Sequence, residues 1–351
     1  MSERVVVDLR SDTVTQPTPE MRRAMAEAAV GDDSREGDPT AERLEAMAAE
    51  LTGHEAALFC TSGTMGNLVA LMTHLRPGEE VIAERDAHFL RFEAGGCTAV
   101  AGAVPRTIAG TAGRMALDEL EANLQPGSRH RPKTTLIAVE NTHNCAGGTC
   151  LDPEYMQGLW ALAGSRGIAV HLDGARLFNA AIALGVPPSA LAGGCDSVMV
   201  DLSKGLCAPY GSLLCGGSEF VARARTMRQR VGGGVRQIGH MAAAGIVALE
   251  SMIDRLGEDH RNARRLAEGI HRVRPEVVAL DLVQTNIVML DSSPLGLTAP
   301  ELAAALEAQG VRGGAMGEYL LRFVTHREIT EEAVGSALEV IAQVFPAASA
   351  G

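Results

Sequence analysis

The segment DSVMVDLSKGLCAPYG, residues 196–211, places a short apolar run just before one of only two lysines in the chain. Lys204 follows this run and precedes Gly205, a pattern that predicts the end of a buried β-strand. The other lysine, Lys133, lies in the polar segment GSRHRPKTT and is expected to be a solvated charge. Arginine stays protonated in proteins, whereas a buried lysine can lose its proton and react as an amine. Lys204 is therefore a candidate nucleophile.

The composition is that of a globular protein, with 351 residues, 46% of them hydrophobic and 21% charged. A net charge of −12 argues against a nucleic-acid partner, because phosphate backbones are bound by clustered Lys and Arg. Seven cysteines without a CxxC pair predict buried, reduced thiols and no metal site. The N-terminal segment lacks an apolar leader, and no apolar run could span a bilayer. We therefore expect a cytoplasmic protein with no membrane partner.

Apolar runs alternate with amphipathic segments through the first two thirds of the chain. This alternation predicts an α/β domain, in which a mainly parallel sheet is covered by helices on both faces. Its strands are predicted at 56–60, 80–83, 134–140, 167–173, 196–203 and 211–217. One helix is predicted over 88–97, and others over 63–75, 153–167 and 175–185.

The pattern changes after about residue 240. One long helix is predicted over 237–273, followed by strands at 277–283 and 286–291. A helix from about Pro300, a strand at 319–326 and a helix at 331–345 complete the chain. We assign residues 1–245 to a large domain and residues 246–351 to a small C-terminal α+β domain.

The segment CTSGTMGN, residues 60–67, lies between a predicted strand and a predicted helix. Gly63 permits a tight turn, and the N–H groups at the start of the helix would favour a phosphate. Ser62 and Thr64 would equally serve as ordinary helix N-caps. The Gly-Lys-Ser/Thr of a Walker loop is absent, and so is GxGxxG, which excludes a dinucleotide-dependent oxidoreductase.

Two further residues belong to the same predicted sheet edge. Asp173, in HLDGARLF, ends one strand, and Lys204 follows the next strand along the chain. An acid that holds a ring nitrogen protonated, a lysine that can form an imine and a phosphate loop are the requirements of a pyridoxal phosphate site. His88, at the start of the helix after EVIA, could stack on the pyridine ring. As isolated histidines, His88, His130 and His143 could also be ordinary polar residues.

Several segments, in order along nearly the whole chain, resemble those of the low-specificity L-threonine aldolases. They are VDLRSDTVTQPTPEM, EAALFCTSGTMGNLVAL, AHFLRFEAGG, ENTHNCAGG, HLDGARLFNA, LSKGLCAPYGSLL, GGGVRQIG and LRFVTH. The resemblance implies PLP fold type I, with a mainly parallel seven-stranded sheet in the large domain. It also implies a homo-oligomer, a dimer of dimers with active sites at the dimer interface, that acts on a small amino acid.

The resemblance also implies a role for each matching residue. Lys204 would bind the cofactor covalently, Asp173 would pair with its ring nitrogen, and His88 would stack on the ring. The remaining implied cofactor contacts are Gly63, Thr64 and Met65 at the phosphate, Arg236 reaching a phosphate across a subunit interface, and Arg176. The implied carboxylate-binding residues are Ser11, Arg176 and Arg322. His88 and His130 are the candidates to accept the β-hydroxyl proton.

The implied reaction is retro-aldol cleavage of L-threonine, L-allo-threonine and related β-hydroxy-α-amino acids to glycine and an aldehyde. The segment GDDSREGDPT, residues 31–40, departs from the family pattern, because Arg35 stands where a tyrosine is expected. Ser34, Glu36 and Gly37 differ as well. A cation at Arg35 would change the charge near the substrate. Arg35 therefore leaves open a racemase or β-eliminating lyase with the same cofactor. Because fold does not dictate function, a non-enzymatic protein built on the same fold is the other alternative.

Overall fold

The computed structural model describes residues 6–345 and divides into two compact units. The large unit contains residues 16–145 and 150–253. The small unit contains residues 146–149 and the described parts of the N-terminal segment up to Thr15 and of the chain from Asp254 onward. This division differs from the one predicted from the sequence, in which a single boundary separates residues 1–245 from residues 246–351. The N-terminal segment joins the small unit because Val7–Asp8 pairs in parallel with Val311–Arg312.

The strands and helices of the described residues are numbered in chain order. The strands are β1 (Val7–Asp8), β2 (Ala56–Cys60), β3 (Glu80–Glu84), β4 (Val104–Ile108), β5 (Pro126–Ser128), β6 (Arg131–Glu140), β7 (Ala169–Gly174), β8 (Ser197–Asp201), β9 (Ser212–Gly216), β10 (Ile287–Asp291), β11 (Val311–Arg312), β12 (Gly314–Ala315) and β13 (Leu320–Val324). The α-helices are α1 (Pro19–Glu27), α2 (Pro39–Thr52), α3 (Gly63–His74), α4 (His88–Arg91), α5 (Gly96–Ala99), α6 (Leu117–Asn123), α7 (Pro153–Arg166), α8 (Leu177–Leu184), α9 (Ser189–Ala192), α10 (Ser218–Arg230), α11 (Gly239–Ser251), α12 (Leu256–Val273), α13 (Ala299–Ala308) and α14 (Glu331–Val344).

The large unit is organised around a sheet with the strand order β2-β9-β8-β7-β6-β3-β4, and β5 pairs with β6. In this seven-strand order the two pairs formed by β9 are antiparallel and the other four pairs are parallel, so the predicted mainly parallel sheet is confirmed. Every residue of β3, β8 and β9 is buried. Strands of this kind are buried along their length because helices cover both faces of the sheet, and their central residues are apolar while polar residues stand at their ends.

The carboxyl ends of β6, β7 and β8 meet at one edge of the sheet. Glu140 is paired with Asp173, and Asp173 with Met199, in the parallel register. Helix α3 packs closely over β8 at Gly66, where a Cβ atom would lie 2.6 Å from Met199 Cγ. The close approach of α3 brings its N-terminal turn to the edge where Asp173 lies.

Three sequence expectations are wrong. The helix predicted over 237–273 is two helices, α11 and α12, separated by a turn that coincides with the boundary between the units. The strand predicted over 277–283 is instead two 3-10 turns, Pro275–Val277 and Leu280–Leu282. The helix predicted over 88–97 is interrupted, because Gly95 adopts a left-handed conformation with φ of 72° between α4 and α5.

The small unit contains an antiparallel sheet, β10-β13-β12, with apolar residues of α12, α13 and α14 in its core. All seven cysteines are free, as predicted, but only five of them are buried, because Cys145 and Cys150 are partly exposed. Burial raises the pKa of the Cys60, Cys195 and Cys215 thiols to about 12 in the large unit. None of the helices within residues 6–345 is long and apolar enough to cross a bilayer.

Candidate active site

A cavity of about 210 Å³ in the large unit brings together the three features predicted at the sheet edge. Lys204 follows β8, Asp173 lies near the end of β7, and Gly63 begins α3. His88, at the start of α4, lines the same cavity. The lining residues are Ser62, Gly63, Thr64, Asn67, His88, Glu93, Asp173, Ala175, Met199, Asp201, Ser203 and Lys204.

The start of α3 forms one wall of this cavity. Ser62 caps the helix, because its Oγ accepts a hydrogen bond from Met65 N at 3.2 Å. The N–H groups of a first helical turn lack partners within the helix and favour an anion. Gly63 and Thr64 line the cavity, as predicted, whereas Met65 is not among its lining residues. The Met65 sulfur instead accepts a hydrogen bond from Thr61 Oγ1 at 3.3 Å. The N-cap and phosphate-loop interpretations are therefore compatible.

Lys204 is largely withdrawn from solvent, with 15% of its side chain exposed. Its Nζ lies 3.3 Å from Asp201 Oδ2. Asp201 is buried, and its other oxygen accepts hydrogen bonds from Ser203 N at 2.7 Å and Ser203 Oγ at 2.8 Å. Sequence reasoning missed Asp201, although it is the polar residue that ends the VMV run.

Asp173 is buried, and other groups of the site bind both of its oxygens. Its Oδ1 accepts a hydrogen bond from Ala175 N at 3.1 Å, and its Oδ2 accepts one from Asn67 Nδ2 at 2.8 Å. Asn67 is a second residue of the site that was not predicted from the sequence. It lies four residues after Gly63 and hence on the same face of α3, which is a signal in the sequence.

His88 is held by two buried glutamates. Its backbone N–H donates to Glu140 Oε2 at 2.7 Å, and its Nδ1 lies 2.9 Å from Glu93 Oε1. Burial alone lowers the pKa of His88, but the hydrogen bond to Glu93 and the charges of Asp173 and Glu140 leave that pKa raised. Burial raises the pKa of Glu93, although His88 and Asn67 donate to it. The sequence analysis missed Glu93, which lies only five residues beyond His88.

His88, Glu93 and Asp173 offer donor atoms within 4.8 Å of one another, a spacing that would also suit a metal ion. The same atoms already have hydrogen-bond partners, since Glu93 binds His88 and Asn67 connects both carboxylates. We therefore interpret the cluster as a hydrogen-bonded network.

The other predicted residues of the large unit lie outside the lining of this cavity. His130 is exposed in the turn between β5 and β6, and Arg176 is buried directly before α8. Arg35 and Arg236 line a second cavity of about 570 Å³. Arg236 donates to Ser34 Oγ, whereas the largely exposed Arg35 lies 3.7 Å from Asp32.

Ser11 and Arg322 belong to the small unit. Ser11 precedes a 3-10 turn, Asp12–Val14, and its Oγ accepts a hydrogen bond from Thr13 N at 3.2 Å. Arg322 lies on β13 and donates from Nη2 to Arg10 O at 3.2 Å.

The fold is that of the PLP fold type I enzymes. A solved structure described as a Leishmania major threonine aldolase matches it with a TM-score of 0.83 and 20% sequence identity, covering 97% of this chain and all of that chain. The family model for beta-eliminating lyases matches residues 8–293. The chain therefore belongs to the beta-eliminating lyase family.

Two curated relatives illustrate the similarity. A probable low-specificity L-threonine aldolase 2 from Arabidopsis thaliana is 43% identical over 344 residues, which is 97% of both chains. The low specificity L-threonine aldolase of Escherichia coli strain K12 is 41% identical over 328 residues, covering 93% of this chain and 96% of the relative. The similarity thus extends across both units and places the chain among the low-specificity L-threonine aldolases.

Proposed function

We propose that this protein is a pyridoxal phosphate-dependent aldolase that cleaves L-threonine, L-allo-threonine and related β-hydroxy-α-amino acids to glycine and an aldehyde. The observation that carries the proposal is the convergence of Lys204, Asp173, His88 and the start of α3 on one cavity. The named relatives support the same reaction.

The residues around the cavity fit pyridoxal phosphate chemically. A lysine amine would hold its aldehyde carbon covalently, a buried carboxylate would face its ring nitrogen, and a helix start would receive its phosphate. Lys204, Asp173 and the segment Gly63, Thr64 and Met65 would take these roles, and Arg236 would add a positive charge at a phosphate. When bound, the cofactor supplies a conjugated ring that withdraws electrons from the substrate Cα.

The protein's own contribution is orientation and proton transfer. Ser11, Arg176 and Arg322 would bind the substrate carboxylate, for which the planar fork of an arginine is well suited. Fixing the carboxylate selects which bond at the substrate Cα is aligned with the ring. Arg35 would lie near the substrate and influence which β-substituents are accepted.

Removal of the β-hydroxyl proton needs a base, for which His88 and His130 were the candidates. The geometry of the large unit favours His88, which lines the cavity with Lys204, over the exposed His130. A histidine accepts a proton only in its neutral form, which prevails above its pKa. Because the pKa of His88 is raised, we expect cleavage to increase with pH through the titration of this residue.

The test is a product assay with L-threonine, L-allo-threonine, phenylserine, alanine and serine, together with the absorbance of the bound cofactor. We expect glycine and the matching aldehyde from the first three compounds. Lys204→Ala should abolish both the absorbance band and cleavage, whereas Lys133→Ala, at the exposed second lysine, should retain both. D-alanine or pyruvate as the main product would refute the aldolase and support the racemase or β-eliminating lyase. A colourless wild-type protein after cofactor addition would support the non-enzymatic alternative.

The homo-oligomeric assembly, with sites at the dimer interface and Arg236 reaching a phosphate across it, stays a prediction. So does the cytoplasmic location. Sedimentation of the purified protein would measure the oligomeric state directly.

A further inference from the structure

Glu93 is a buried carboxylate that contacts two different parts of the cavity. Only 4% of its side chain is exposed. Its Oε1 lies 2.9 Å from His88 Nδ1 and accepts a hydrogen bond from Asn67 Nδ2 at 2.8 Å. A carboxylate in this position is an acceptor, so the nitrogen of His88 that faces it must carry a hydrogen.

Asn67 fixes the direction of the hydrogen bonds around Glu93. Its Nδ2 donates to Glu93 Oε1 and to Asp173 Oδ2, both at 2.8 Å, which uses both hydrogens of the amide. Its Oδ1 is then the acceptor for His171 Nε2 at 3.1 Å. The reverse orientation of the amide would set its carbonyl oxygen against two carboxylates. The donors of Asn67 therefore point toward Glu93 and Asp173.

The hydrogen bonds beyond Asn67 continue in the same donor-to-acceptor direction. Because His171 donates from Nε2, its Nδ1 accepts from Ser197 Oγ at 2.8 Å, and Ser197 in turn accepts from His74 Nε2 at 2.8 Å. Burial lowers the pKa of His171 to about 4 and that of His74 to about 3, so both rings stay neutral near pH 7. Neutral rings in these tautomers match the Asn67 orientation that the carboxylates of Glu93 and Asp173 set.

We propose that Glu93 is a positioning residue, which holds the neutral His88 ring with its proton on Nδ1 and leaves Nε2 as the proton acceptor. Asn67 connects Glu93 to Asp173, because its amide donates a hydrogen bond to each carboxylate. The assignment of Nε2 to the substrate's hydroxyl proton rests on the proposed function, whereas the tautomer of His88 does not.

Other ionisable groups face this pair and contribute to its titration. Asp173 on β7 and Glu140 on β6 favour the charged form of His88, and Cys97 on α5 lies near Glu93. Asp201 and Lys204 line the same cavity. An experiment must therefore change the charge of Glu93 alone and measure the protonation of His88 directly.

The first measurement uses the wild-type, cofactor-loaded protein with ¹⁵N-labelled histidine. Above its titration midpoint, the nitrogen shifts of His88 should be those of a ring protonated on Nδ1. A ring protonated on Nε2 would overturn the proposal without any variant. His88→Gln would assign the resonance.

The second measurement is the same titration in Glu93→Gln. A glutamine amide oxygen can accept both hydrogen bonds that Glu93 Oε1 accepts, so the variant removes the charge while preserving the contacts. Loss of a carboxylate at 2.9 Å should lower the His88 midpoint by about one pH unit. The rising limb of kcat against pH should move to lower pH by a similar amount.

The fold supplies a matched control in a second buried pair, in which His143 Nε2 lies 3.1 Å from Glu84 Oε2. Glu84→Gln should lower the titration midpoint of His143 and leave that of His88 in place. An unchanged His88 midpoint in Glu93→Gln, or equal changes of His88 in both variants, would refute the role of Glu93. If His88 behaves as proposed but threonine yields no glycine, the proposed function fails and the tautomer assignment stands.

Discussion

Replacing Asp33 with asparagine should destabilise the large unit by breaking a largely buried ion cluster that lines the 570 Å³ cavity. Asp33 is 5% exposed in its side chain, and its Oδ2 accepts a hydrogen bond from Arg228, which is 3% exposed. Arg225 lies 3.2 Å from Asp33 and 3.0 Å from Glu45. The cluster thus balances two cations with two anions, and the substitution leaves one buried cation in excess.

The magnitude follows from the burial of the pair. Removing one partner of a buried ion pair costs about 3–5 kcal/mol, because the remaining charge is left without compensation. Glu45 still faces Arg225, and Arg228 still donates to Phe59 O at 2.6 Å, so we expect the lower end, about 3 kcal/mol. For a unit of this size that corresponds to a fall in Tm of about 6 °C.

The assay is thermal unfolding at equal protein and cofactor concentrations, since ligand and subunit binding both shift Tm. The matched control is Glu250→Gln. Glu250 pairs with Arg43 at 2.7 Å, but both side chains are about half exposed, so the loss should be below about 1 kcal/mol. If Asp33→Asn melts within about 1 °C of Glu250→Gln, the argument from burial is wrong.

The remaining predictions concern acid sensitivity and substrate binding. His74→Gln should reduce the loss of stability between pH 6.5 and 4.5 by about 2 kcal/mol. In this range the histidine of the unfolded chain gains a proton, whereas the partly buried His74 of the folded protein stays neutral, and Tm at the two pH values checks the difference. Arg322→Ala should raise KM for threonine much more than the dissociation constant of the cofactor, and equal losses would remove Arg322 from the carboxylate site. Arg35→Tyr should increase the preference for threonine over phenylserine, whereas unchanged product ratios would show that Arg35 does not influence specificity.

Much of the large unit could be predicted because most of its strands have apolar centres and alternate with helices. The predicted strand at 56–60 matches β2 in extent, and Asp173 and Lys204 were assigned to the correct sheet edge. Predictions failed where local patterns are ambiguous. The segment VVALDLV has a strand's composition, but Pro275 begins a 3-10 turn just before it, and Leu282 is exposed. The turn that separates α11 from α12 has no glycine or proline to signal it.

The sequence by itself determined most of the large unit's strands, and it placed Asp173 and Lys204 at the ends of two of them, because hydrophobic periodicity and chain direction are local properties. Only the tertiary structure decided which side chains meet. Asn67 donates to Glu93, 26 residues away, and to Asp173, 106 residues away. Such contacts depend on how α3 packs over the sheet, and packing is set by the whole unit rather than by any one segment.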